Sequence, residues 1–133
     1  MQVSVVGSGY VGTTIAAVLA TWGHSVTAVD IDTDRVAALN AGDPQIEEPG
    51  LQELIDGVIG DRLHATASFG AVAEGACTVL TVPTPTDSAG AVDTGAVEAA
   101  LGSVGRALSD GETPHLVVLK STVPPRAVES VVP

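Results

Sequence analysis

The stretch Gln2-Val-Ser-Val-Val-Gly-Ser-Gly-Tyr-Val-Gly12 decides how this chain is read. Val3, Val5 and Val6 make a short β-branched run that reads as a buried parallel strand. Gly7, Gly9 and Gly12 follow at G-x-G-x-x-G spacing, and an apolar helical pattern starts at once. At such a junction each glycine has its own task. Gly7 makes the tight turn, Gly9 lets backbone approach a pyrophosphate, and Gly12 lets the helix lie close to the strand. The helix start then offers unpaired N–H groups and a positive dipole end to phosphate. The glycine spacing alone is a weak signal. Here it has its strand, its helix and an acid, Asp30, at the tip of the next strand.

Outward from that turn, Tyr10 to Thr21 carries Val11, Ile15, Ala16, Val18 and Leu19 and no charge, so this helix is expected to lie on the sheet. Gly23-His24 ends it, and Val26 to Val29 is the second strand. Asp30 stands 18 positions after Gly12, where a carboxylate accepts from a ribose 2′-hydroxyl and repels a 2′-phosphate, favouring NAD over NADP. Asp30 also fits the N-cap of a helix running from about Thr33 to Ala41, and the two roles are compatible. Arg35 fits the adenosine end of a dinucleotide and equally an ordinary surface arginine. Gly42-Asp-Pro44 stops this helix. A further helical pattern follows in Leu51, Leu54, Ile55 and Val58. Pro49 suits its first turn and Glu48 its positive end, a structural role.

Leu63 to Ala67 reads as a third strand, Phe69 to Glu74 as a short helix, and Cys77 to Val82 as a fourth strand. The prolines of Pro83-Thr-Pro-Thr86 cannot continue a central strand. In a doubly wound sheet ligands gather outside the carboxyl ends of the strands, so this segment should flank a cofactor, with Thr84 and Thr86 offering hydroxyls to the nicotinamide half. Asp87 to Gly95 is a turn-rich stretch, Val97 to Leu108 a helix and Leu116 to Leu119 a fifth strand. The strand leads into Lys120-Ser-Thr-Val-Pro-Pro125. Arg126 to Val132 reads as the opening of one more helix. The pattern predicts an α/β, three-layer αβα, Rossmann-type doubly wound parallel sheet of order 3-2-1-4-5, forming a single dinucleotide-binding domain over residues 1–133.

Composition narrows the partners. With 16 acids against 5 bases and a formal charge of −11, the chain lacks the basic footprint of a nucleic-acid binder. The acid excess reads either as a solvated, repulsive surface or as adaptation to high salt, with a single lysine left, Lys120. The core must be built from small and branched aliphatic residues, since Tyr10, Trp22 and Phe69 are the only aromatics. A lone cysteine, Cys77, rules out an internal disulfide and fits a reducing, cytoplasmic setting. No apolar run approaches a membrane span of about 20 residues.

Four segments in register carry a resemblance: Gly7-Ser-Gly-Tyr-Val-Gly12, Glu48-Pro-Gly-Leu51, Val82-Pro-Thr-Pro85 and Lys120-Ser-Thr-Val-Pro124. Together they resemble the signatures of the UDP-glucose/GDP-mannose dehydrogenase family of nucleotide-sugar dehydrogenases. The resemblance implies an oxidoreductase of polysaccharide precursors that uses two NAD in succession. It would oxidise the primary alcohol of a sugar nucleotide to a carboxylate, as in UDP-glucose to UDP-glucuronate, through a cysteine-bound thiohemiacetal and thioester. It further implies that Gly7, Ser8, Gly9, Tyr10, Val11 and Gly12 bind the dinucleotide with Asp30, and that Arg35 lies on its adenosine side. Val82, Pro83, Thr84, Pro85 and Thr86 would line the nicotinamide side. Ser121 and Thr122 would reach the cofactor and reaction centre, and Thr122 matches the family threonine that helps place the reacting oxygen or a water. As a neutral hydroxyl it cannot be a strong base.

Members of that family run to several hundred residues, and their nucleophilic cysteine, carboxylates and active-site lysine match no position here. Cys77 opens a buried strand away from the ligand edge, where its thiol should be inert. Lys120 fits a loop or phosphate anchor better than a catalyst. His24, His64 and His115 fall at strand starts with no metal-site spacing. The chain alone is therefore expected to bind NAD without completing the oxidation, with homo-oligomerisation through apolar surface left uncovered. Two other readings stay open: a 3-hydroxyisobutyrate-type hydroxyacid dehydrogenase, which shares the glycine turn and a late Ser-Thr pair, and a non-enzymatic nucleotide-sensing module of potassium transport.

Overall fold

A computed structural model describes residues 1–125; the helix expected over Arg126 to Val132 lies outside them. The elements run β1 (Gln2–Val6), α1 (Tyr10–Thr21), β2 (Ser25–Val29), α2 (Thr33–Asn40), α3 (Leu51–Val58), β3 (Leu63–Thr66), a 3₁₀ turn (Phe69–Glu74), β4 (Cys77–Leu80), α4 (Gly95–Leu108) and β5 (Leu116–Leu119). The five strands form one parallel sheet of order β3-β2-β1-β4-β5, the order the sequence predicts. β1 sits at its centre, with Val5 facing Ala28 on one side and Val79 on the other.

Alternation along the strands sends neighbouring residues to opposite layers. Val5 and Val26 pack with Ala16, Ala20 and Val58, under α1 and α3. Val6, Val29 and Leu80 pack with Val72, Ala100 and Val104, under the 3₁₀ turn and α4. A third cluster joins Leu39 of α2 to Ala17, Leu51 and Ile55. The buried side of α1 consists of Gly12, Thr13, Ala16, Ala17 and Ala20, small residues that bring its backbone close to β1. Val11 departs from the expected sheet-facing position: it is exposed, at the mouth of a cleft. On the far edge, Leu116, Val117 and Val118 of β5 are 63%, 38% and 38% exposed.

Three local expectations are corrected. α2 is capped by Asp32, not Asp30: the Asp32 carboxylate accepts from the N–H groups of Asp34 (3.0 Å) and Arg35 (3.3 Å). α3 has Gly50 as its N-cap, in the left-handed region at φ 83°. Pro49 therefore precedes the cap, and Glu48 reaches the helix only through its carbonyl, which accepts from Leu51 N–H. β4 ends at Leu80 rather than Val82, because the Thr81 side chain is drawn to the glycine turn and Pro83 has no N–H to extend the ladder. Beyond it the stretch 86–95 is more ordered than a plain turn. Thr86 and Val92 form an antiparallel bridge, and the Asp87 carboxylate accepts from Ala89 and Ala91 N–H. Among the described residues no helix is long and apolar enough to cross a membrane.

Candidate functional site

The carboxyl ends of β1, β2 and β4 open into a cleft of about 610 Å³, within the usual range for a ligand pocket. Its floor is the glycine turn, and the three glycines there have separate physical reasons. Gly7 has φ +98°, a conformation glycine adopts without strain. At Gly12 an added Cβ would sit 1.7 Å from the Gly7 carbonyl oxygen and 2.5 Å from Thr81 Oγ1, so only glycine lets α1 approach the turn. Gly9 has ordinary extended backbone and open space, with only the Arg35 guanidinium 4.0 Å from an added Cβ. Nothing in the fold requires glycine there. A side chain at residue 9 would project into the cleft, which is the cradle a pyrophosphate needs beside the α1 N-terminus.

Asp30, at the tip of β2, is tied to that turn from below. Its Oδ2 accepts from Ser8 N–H (2.8 Å) and Ser8 Oγ (2.7 Å), and its Oδ1 accepts from Asp32 N–H (2.9 Å). Burial pushes this carboxyl up. The hydrogen bonds from Asp32 and Ser8, with the charge of Arg35, outweigh burial and hold it below the ordinary value. Arg35 lies 4.0 Å from Asp30 and 3.7 Å from Asp32, so its charge is shared between two acids. A 2′-phosphate entering here would meet two carboxylates against one guanidinium.

The cleft's lining brings together Gly7, Gly9, Tyr10, Val11, Asp30 and Arg35 with Val82 and Pro83. Ser8 and Gly12 are buried behind it and act on its shape. Thr84, Pro85, Thr86, Ser121 and Thr122 are not part of the lining. Ser121 is spent on structure, its hydroxyl donating to the Val82 carbonyl at 2.7 Å, and Thr122 is exposed. Residues not singled out in the sequence complete the walls: Ile31, 83% exposed beside Asp30, and opposite it Phe69 with Ala96, Ala99 and Ser103. Together they give this part of the cleft a largely apolar lining. Thr81 was equally hidden; its hydroxyl donates to the Val6 and Gly7 carbonyls (3.1 and 2.9 Å) and locks β4 to the turn. Only an i→i+74 contact reveals that role.

Cys77 begins β4 at the opposite end of the sheet, half-buried, with burial pushing its thiol up. His115 lies at that end too, held between Thr78 Oγ1 (2.7 Å) and the Gly75 carbonyl (3.1 Å). No group of three or more His, Cys, Asp or Glu able to hold a metal occurs among the described residues.

Residues 1–133 match the family model described as the UDP-glucose/GDP-mannose dehydrogenase family, NAD binding domain. The chain belongs to this family. It is its NAD-binding domain, and NAD is the cofactor of that domain. UDP-glucose 6-dehydrogenase AglM of Haloferax volcanii is 48% identical over 132 residues, 99% of this chain and 31% of the relative. GDP-mannose 6-dehydrogenases of Pseudomonas species and Azotobacter vinelandii are 34–38% identical, over 99% of this chain and 31% of theirs. Among solved structures, a ternary complex of GDP-mannose dehydrogenase from Pseudomonas aeruginosa superposes with a TM-score of 0.94 at 35% identity, over 99% of this chain and 31% of that one. A UDP-glucose dehydrogenase from Pyrobaculum islandicum gives 0.90 at 42%, over 96% and 30%. The chain thus spans about a third of the length of the relatives it matches. These matches favour the nucleotide-sugar dehydrogenases over the hydroxyacid dehydrogenase and the transport sensor.

Proposed function

We propose that residues 1–133 are the cofactor domain of a longer cytoplasmic enzyme that oxidises the primary alcohol of UDP-glucose to the carboxylate. The observation that carries this reading is the 48% identity to a UDP-glucose 6-dehydrogenase, set against 34–38% to the GDP-mannose enzymes. Converting an alcohol to a carboxylate removes four electrons, and NAD supplies the acceptor for two of them at each of two hydride transfers. The work of this chain is to bind and orient. The α1 N-terminus and the open space at Gly9 take the pyrophosphate, and Asp30 accepts from the adenosine ribose. The slot between Ile31 and Phe69 holds the base, leaving the nicotinamide to run towards Val82 and Pro83. Thr84, Thr86, Ser121 and Thr122 stand further along that edge, and Thr122 is our candidate for orienting the reacting oxygen.

Cys77 cannot be the covalent nucleophile of such a reaction, because it lies at the other end of β4 with its thiol stabilised. The 133-residue chain should therefore bind NAD and make no uronate. Calorimetry with NAD and NADP, followed by an absorbance assay with UDP-glucose and NAD, tests both halves. Equal affinity for NADP would remove the role given to Asp30, and measurable NADH would overturn the assignment of catalysis to residues outside this chain. The exposed β5 face, Leu116 to Val118, supports self-association of the isolated chain, which sedimentation would detect.

A further inference from the structure

We propose that Glu48 is a positioning residue of the cofactor site: its carboxylate holds the phenol of Tyr10, so that the ring stands as a fixed wall of the cleft at the α1 N-terminus. The proposal rests on the cleft being the NAD site. Tyr10 is the first residue of α1, lines the cleft, and is 53% exposed, so packing alone does not fix its ring. The ring is fixed by its hydroxyl, which donates to Glu48 Oε2 across 38 residues of chain.

The segment that delivers Glu48 is built for the purpose. Its carboxylate takes no part in capping α3, where Gly50 is the N-cap and only the Glu48 carbonyl is used. Gln45 has φ 56°, the one non-glycine residue with positive φ among the described residues. Such strain persists only where neighbours over-determine the conformation, and it gathers at functional segments. Here the neighbours are explicit. Asp43 Oδ1 accepts from Gln45 N–H at 2.9 Å, Gln52 Nε2 donates to the Gly42 carbonyl at 2.8 Å, Pro44 is buried, and Ile46 packs against the Leu39–Leu51–Ile55 cluster. The strained turn carries the chain from the end of α2 back to the ligand edge, where Glu48 meets Tyr10. The bond needs a neutral phenol, and the carboxylate secures one: the hydrogen bond to Glu48, with its charge, raises the Tyr10 pKa above 10.0.

Holding one aromatic side chain in its bound position spares the ordering cost of that side chain, worth about twofold to tenfold in affinity. Tyr10 is the only tyrosine in the chain, so alkaline absorbance titration reads this one group directly. Glu48→Ala and Glu48→Gln should both bring the tyrosine midpoint down relative to wild type. In NAD titrations Glu48→Ala and Tyr10→Phe should each weaken binding by about twofold to tenfold, and the double variant should be no weaker than either single one. Glu48→Gln, whose amide oxygen still accepts, should recover most of the loss. An unchanged tyrosine midpoint in Glu48→Ala would mean the bond is not made in solution. A lowered midpoint with unchanged NAD affinity would overturn the positioning role. Wild-type protein that binds no NAD while its tyrosine still titrates high would locate the error in the cofactor site, and the proposal would fall with it. Tyr10→Phe removes a single oxygen at an exposed position, so it keeps the comparison sound if Glu48→Ala disturbs the loop.

Discussion

Gly12→Ala sets helix propensity against close packing, and the geometry decides the sign. In a helix interior alanine is better than glycine by about 1 kcal/mol. At Gly12 the new methyl would lie 1.7 Å from the Gly7 carbonyl oxygen, 2.5 Å from Thr81 Oγ1 and 2.8 Å from Gly7 carbonyl carbon. Carbon–oxygen contacts normally sit at about 3.3 Å or more, so the helix start must retreat by roughly 1.6 Å. Two of the atoms in the way are backbone of the tight turn, and the third is the hydroxyl that ties β4 to it at 2.9 Å. Overpacking of this kind costs about 1–3 kcal/mol, and the threatened Thr81 hydrogen bond adds about 1 kcal/mol. After the propensity gain the variant should lose about 1–3 kcal/mol, and Tm should fall by roughly 4–12 °C for a domain of this size. Gly57→Ala is the internal control: it lies in α3 with nothing within 4 Å of an added Cβ, and should be stabilising by about 0.5–1 kcal/mol. Urea unfolding of both variants, with slopes compared, measures the contrast. Gly12→Ala as stable as wild type, alongside a stabilised Gly57→Ala, would refute the close-approach argument.

Gly9→Val should keep the fold, since only Arg35 lies near the new side chain, and should abolish NAD binding in calorimetry; retained binding would mean the cradle is not the pyrophosphate site. Ser8→Ala removes one of the bonds that hold the Asp30 carboxyl low. A carboxyl lowered on folding contributes stability that is complete above its unfolded value near 3.8 and is lost as pH falls through the folded value. The variant's deficit, about 1.5–3 kcal/mol for a bond to a charged group, should thus be full at neutral pH and shrink on acidification below about pH 4, as measured by urea unfolding at a series of pH values. A deficit independent of pH would argue that Ser8 acts only by packing. NAD affinity should stay level or rise between about 0.1 and 1 M salt, because screening weakens the repulsion from a chain of charge −11 more than it weakens local N–H contacts. A steep loss with salt would point to cations beyond Arg35, the one cationic side chain in the cleft lining among the described residues.

The strands, their order and the acid at position 30 were legible because each rests on local pattern: β-branched runs, glycines at fixed spacing, and a helix between them. What escaped the sequence depends on contacts between distant segments or on choices among equivalent residues. Asp30, Asp32 and Asp34 stand within five positions, and any of them suits a cap. The backbone at the exit of β2 gives the cap to Asp32 and leaves Asp30 bonded to the glycine turn at the edge of the cleft. Glu48 reads as the acid of a helix start, yet its carboxylate belongs to Tyr10, 38 residues away. Val11 fits an apolar helix face and faces the cleft instead, because close approach at Gly12 turns the small residues of α1 inward. The hydroxyls of Thr84, Thr86, Ser121 and Thr122, expected at the nicotinamide side, fall outside the cleft lining, where the bridge between Thr86 and Val92 and the bond from Ser121 to Val82 occupy their segments.

An acidic chain that binds an anionic cofactor must do so with short-range donors, and the hydrogen bonds around Asp30 show how few it can spare. An ionised carboxylate has roughly four acceptor positions. Ser8 N–H, Ser8 Oγ and Asp32 N–H fill three, two of them on Oδ2, and the open one lies on Oδ1. One ribose hydroxyl can therefore be accepted with no rearrangement, and the carboxylate is aimed before the ligand arrives. The same bonds consume Ser8 N–H, so in the binding mode proposed above the pyrophosphate falls to the N–H groups at the α1 N-terminus. The division of labour between Gly9 and Asp30 follows from this. In the proposed binding mode the turn supplies space and donors, the acid supplies direction, and Ser8 binds one to the other, so a change at Ser8 should reach both halves of the dinucleotide without touching either.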